Sequence, residues 1–119
     1  MIKYVSPGDL MSLATVYNGT AILSGQVALD QPHSDLQTQA REIFSRIDAI
    51  LAEIGSGRDR LLSATIWLTD LTDFPAFNAL WLEWLGDAPK PARATVQAGL
   101  ALPGLKLEIQ VTAAADVQP

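Results

Sequence analysis

The chain has 119 residues, 49% of them hydrophobic and 18% charged, with a formal net charge of -5 and a pI near 4.5. This balance, with no basic run to offset it, repels phosphate backbones and argues against a nucleic-acid partner. The absence of cysteine excludes disulfides and thiolate chemistry, and the single histidine, His33, excludes a histidine metal cluster.

One domain spanning residues 1–119 is expected, long enough for a real core. No apolar run approaches membrane length, and the first residues hold no apolar leader, so the expectation is a cytoplasmic protein without a membrane partner.

Residues 11–17 and 20–29 read as a β-hairpin, because Asn18-Gly19 between them tolerates the positive φ angles of a two-residue turn. Ser24-Gly25 falls inside the second strand, where a glycine marks a bulge or a close backbone approach. Residues 35–54 read as a helix. Ser34 is its expected N-cap, with Gln37 completing a capping box, and Gly55 is its stop. Leu36, Ala40, Ile43, Phe44, Ile47, Leu51 and Ile54 form one apolar stripe along it. A third strand is expected over 61–69 and a second helix over about 73–85. Phe74, Phe77, Leu80, Trp81, Trp84 and Leu85 make that helix's buried face, and Pro75 sits in its first turn.

After a Pro/Gly loop come two alternating stretches. In the first, Ala92, Ala94, Val96 and Ala98 alternate with Arg93, Thr95 and Gln97. In the second, Leu105, Leu107, Ile109 and Val111 alternate with Lys106, Glu108 and Gln110. The order ββαβαββ allows two helices to cover one sheet face. The other face, expected to carry Thr65, Trp67, Thr95 and Gln97, is too apolar for solvent. Closing it against copies of itself makes a homo-oligomer the simplest solution.

Arg93 and Glu108 are the best chemical lead. A guanidinium binds a carboxylate through two parallel hydrogen bonds, and a nearby carboxylate can orient or activate water. Each is also the kind of charge that strands display to solvent. Asn78 in the second helix and Ser24 in the hairpin read, on their own, as a helix-surface amide and a backbone-satisfying hydroxyl. His33 reads as solvent-exposed. No GxGxxG, P-loop, GxSxG or HExxH pattern occurs.

Four segments together resemble the RidA/YjgF (reactive intermediate deaminase) family. They are Ser24-Gly25-Gln26, the run from Asp70 to Asn78, Pro91-Ala92-Arg93 and Leu107-Glu108-Ile109. They occur in the family's order over roughly residues 10–115, and Thr95 to Leu100 look most like the YoaB-type branch. The resemblance implies an α+β, chorismate-mutase-like fold, with two helices on one face of a mainly antiparallel sheet. It also implies a homotrimer with ligand clefts between subunits. The activity implied is hydrolysis of enamines and imines, such as 2-aminoacrylate and its tautomer, to the 2-keto acid and ammonia, with no metal or organic cofactor.

In that scheme Arg93 binds the substrate carboxylate and Glu108 holds the attacking water, while Ser24, Gly25, Asn78 and Thr95 occupy further cleft positions. Two positions depart from the pattern. A family tyrosine upstream of the Ser-Gly-Gln falls near Met11 here, and a common cysteine two residues after the arginine is Thr95. The expected function is therefore imine deamination, with a non-enzymatic 2-keto acid binding module as the alternative, favoured by the missing tyrosine. The ribonuclease or translation-inhibitor role attached to the family suits neither the acidic pI nor the lone histidine.

Overall fold

A computed structural model describes residues 1–115. Six strands and two helices run in the order β1 (Lys3–Val5), β2 (Ala14–Tyr17), β3 (Thr20–Leu23), α1 (Leu36–Glu53), β4 (Leu61–Leu68), α2 (Phe74–Leu85), β5 (Ala92–Gln97) and β6 (Leu107–Ala114). The strands form one sheet in the order β1-β2-β3-β6-β4-β5, antiparallel throughout except for the parallel β4–β5 pair. The expected architecture is present, with an added edge strand, β1, that was too short to show a period.

The hairpin turn forms as expected, with Asn18 and Gly19 at φ 50 and 77. The second strand, expected to reach residue 29, stops at Leu23. Ser24-Gly25 then leave the ladder, and Gln26 rejoins it by exchanging backbone hydrogen bonds with Ile109 at 2.8 and 3.1 Å. The glycine thus marks a break in pairing, which brings a new backbone segment beside β6.

α1 is capped by Asp35, not by Ser34. The Asp35 carboxylate accepts from the Thr38 backbone N–H at 2.8 Å, whereas the Ser34 hydroxyl donates to the Gln31 carbonyl at 2.7 Å. An aspartate stood one residue nearer the first turn, and its carboxylate took the orphan N–H. Hydrogen bonds from the Thr38 side chain and backbone hold the Asp35 carboxyl below its ordinary range. Gln39 in the first turn is fully buried, and every polar atom of its side chain is used. Its Nε2 donates to the carbonyls of Pro32, Ser34 and Gly104, and its Oε1 accepts from the Lys106 N–H. The helix start is thereby tied to the loop that enters β6.

α2 begins after a 3-10 turn at Leu71–Asp73, with Pro75 in its first turn as expected. Phe77, Trp81, Trp84 and Leu85 are buried, and Phe44 of α1 stacks on Trp84 with centroids 4.5 Å apart. Two members of the predicted face depart from it. Leu80 is only partly buried, and Phe74 is 39% exposed, because α2 reaches the border of the sheet at its N-terminal end.

Register decides which side chains share a face, since paired residues point the same way. Ile66 pairs with both Ile109 and Thr95, Ala64 with both Val111 and Arg93, and Leu68 with both Leu107 and Gln97. These residues face the helices. Trp67 pairs with Glu108 and Val96, and Thr65 with Gln110 and Ala94, all on the uncovered face. The expectation that Thr95 and Gln97 lie on the open face with Thr65 and Trp67 is therefore wrong for β5. Its alanines and Val96 take that face, and its polar residues turn toward the helix side. β5 is an edge strand, so its helix-side positions border a cleft beside α2 instead of core, and polar groups can stand there.

Candidate active site

The sheet separates two clusters. On its helix side, Arg93 projects from β5 beneath the start of α2. One guanidinium Nη donates to Asn78 Oδ1 at 2.7 Å. The guanidinium carbon lies 5.6, 5.7 and 5.6 Å from the ring centroids of Phe74, Phe77 and Trp81. Among the described residues no carboxylate pairs with it, and burial lowers its pKa. Asn78 is therefore no idle surface amide. It orients the fork and leaves the other N–H groups free for an anion.

Leu71, Phe74, Arg93 and Thr95 line an open cavity of about 410 Å³. Thr95 stands two residues along β5 on the same side, and its Oγ1 is buried without a hydrogen-bond partner. A buried hydroxyl with nothing to bond costs about 1–3 kcal/mol. The defect disappears when a ligand or a neighbouring molecule supplies the missing partner.

On the open face, Glu108 projects from β6 next to Trp67. Its carboxylate lies over Gly25, where a Cβ would fall 2.0 Å from Oε2. Glycine at that position gives the carboxylate its room. Among the described residues no hydrogen bond or ion pair reaches Glu108, and burial pushes its pKa above the ordinary 4.5. Ser24 donates to the Leu13 carbonyl at 3.3 Å and lines, with Leu10, Met11 and Gln110, an open hollow of about 430 Å³. Met11, the position where the resemblance sets a tyrosine, is thus beside Ser24.

The predicted residues fall into two groups, Arg93, Asn78 and Thr95 on one side of the sheet and Ser24, Gly25 and Glu108 on the other. Arg93 and Glu108 cannot meet within one chain. Each group holds one desolvated charge without a counter-charge. One group can grip an anion and the other can accept a proton from water, but a site using both requires two copies of the chain. Leu71 and Phe74 were missed as lining residues. Helical spacing assigned Phe74 to the core, and Leu71 carried no periodic signal. Among the described residues no group of three His, Asp or Glu side chains is gathered for a metal, and no helix is long and apolar enough to cross a membrane.

The chain is similar to known proteins over nearly all of its described length. The family model described as endoribonuclease L-PSP matches residues 6–115. A RutC family protein of Haemophilus ducreyi is 36% identical over 118 residues, 99% of this chain and 100% of the relative. The RutC family protein YoaB of Escherichia coli is 37% identical over 99 residues, 83% of this chain and 85% of the relative. The crystal structure of a YjgF-family protein from Neisseria meningitidis superposes with a TM-score of 0.88 at 35% identity, covering 96% of this chain and 94% of that one. With this sheet order, these two residue clusters and these relatives, the chain belongs to the RidA/YjgF family.

Proposed function

We propose that the protein is a cofactor-independent imine deaminase, which hydrolyses 2-imino acids to 2-keto acids and ammonia in clefts between the subunits of a homotrimer. The observation that carries this reading is the pair of complementary half-sites on opposite faces of one sheet. Arg93, held by Asn78 and three rings, binds the substrate carboxylate through its free N–H groups. Glu108 of a second copy accepts a proton from water as the water oxygen adds to the imine carbon. That proton passes to the substrate nitrogen, giving a carbinolamine. The hydroxyl proton then passes to the nitrogen, the C–N bond breaks, and ammonia leaves as the C=O bond of the keto acid forms. Such imines hydrolyse unaided, so orientation and a single well-placed base suffice.

The open face supports assembly. Tyr4, Ile22 and Val96 are 59%, 49% and 44% exposed in the isolated chain, and Trp67 is half-buried beside Glu108. A face this apolar is covered by another copy. Trp67→Asp is expected to shift sedimentation from trimer toward monomer, because it would leave a charge buried without a partner. A wild-type monomer at micromolar concentration would dispose of the shared cleft altogether.

The activity is tested by generating imines in place with an amino acid oxidase and following their decay. Faster decay with the protein supports the deaminase. Decay at the background rate for every imine would leave the second reading, a 2-keto acid binding module. Met11 in place of the family tyrosine is the observation favouring that alternative.

A further inference from the structure

We propose that the cleft selects substrates by an apolar side chain, taking branched or aromatic 2-imino acids in preference to small or doubly charged ones, with Leu71 and Phe74 as the specificity-determining walls. This inference rests on the deaminase reading for its chemistry but on the cavity for its selectivity.

The cavity holds a single charge, that of Arg93, and Asn78 fixes how the guanidinium points. One cation with no second charged side chain in the lining can satisfy one carboxylate. A second carboxylate, as in a glutamate-derived imine, would be desolvated with nothing to pair with, and it would share the cleft with the carboxylate of Glu108 from the second copy. The other lining residues are Thr95 and two apolar walls, Leu71 and Phe74, 47% and 39% exposed in the free chain. Both are large apolar groups held at the surface beside a cation, where neither serves the core. Leu71 lies in the 3-10 turn ahead of α2, and the Asp70 carboxylate caps that turn by accepting from the Thr72 N–H at 2.9 Å. The wall is thus a fixed part of the fold.

On the open face, Leu10 and Met11 add apolar surface to the hollow that Asp9, Ser24 and Gln110 also line. Met11 offers a flexible apolar surface where a phenol would offer a hydroxyl.

The test is calorimetric binding of three stable product acids to the full-length wild-type protein: pyruvate, 4-methyl-2-oxopentanoate and 2-oxoglutarate. Extra carbons in an apolar pocket are worth at least about tenfold, so 4-methyl-2-oxopentanoate should bind about tenfold or more tightly than either of the others. Leu71→Ala should shrink that ratio toward one, and Leu71→Met should restore most of it. Because Leu71 is half-exposed in a surface turn, neither substitution threatens the core. Pyruvate or 2-oxoglutarate binding as tightly as the branched acid, or a ratio unmoved by Leu71→Ala, would overturn the proposal. The expected order of affinities without any acceleration of imine decay would uphold the selectivity and remove the deaminase reading alone. No binding of any of the three would remove both.

Discussion

Replacing Glu108 with glutamine is expected to leave keto acid binding nearly intact while slowing imine hydrolysis by about 100-fold or more, the usual contribution of a positioned general base. The amide fills the same space over Gly25 but cannot take a proton from water. The pH profile should separate this role from a structural one. Burial raises the Glu108 pKa above 4.5, and the base works only when ionised. Activity should therefore fall as pH drops through that raised pKa, on a limb lying above the range of an exposed glutamate. Glu108→Gln should lose that limb along with the rate. A glutamine protein with wild-type turnover, or one that keeps the acid limb, would remove Glu108 from the chemistry.

The second large effect concerns Arg93 and the two faces of the sheet. Arg93→Ala removes the only cation in its cavity and should abolish both carboxylate binding and turnover. Arg93→Lys should recover little, because an ammonium cannot reproduce a planar fork. The register makes a stronger prediction. Arg93 shares a face with Ala64, whereas Glu108 shares the opposite face with Trp67, so a site that uses both residues must draw on two copies. Arg93→Ala and Glu108→Gln chains, each inactive alone, should regain activity when denatured together and refolded as mixed oligomers. With random pairing in a ring, about a quarter of the clefts would hold an intact arginine and an intact glutamate. Recovery near that fraction is expected. If the mixture stays as inactive as its components although the oligomers have exchanged subunits, the two residues do not serve one site.

Much of the fold was legible because its signals are local. Asn18-Gly19 marked the β2–β3 hairpin turn, alternation marked β5 and β6, and a 3.6-residue stripe marked α1. Local signals failed where two neighbouring residues could do the same work. Ser34 and Asp35 both suit an N-cap, and only the position of the first turn chose Asp35. The three-residue β1 is too short for a period, and it exists because β2 offers it an edge.

The chemistry was legible as residue types, in that Arg93, Glu108, Ser24, Gly25 and Asn78 could be named from short motifs. Their grouping was not. Alternation says that Arg93, Thr95 and Gln97 share a side of β5, but it cannot say which side. That depends on the parallel pairing with β4, a contact between residues about 30 apart in the chain. Once that register is set, Arg93 falls under α2, where Asn78 and three rings hold it, and Phe74 becomes a wall of the cleft instead of core. Glu108 falls on the opposite face, over the one residue, Gly25, small enough to leave it room. Sequence by itself determined the longer elements, the family resemblance and the candidate site residues. Only the tertiary structure decided that a single chain holds two half-sites back to back, because the face a strand residue occupies is set by its neighbours across the sheet.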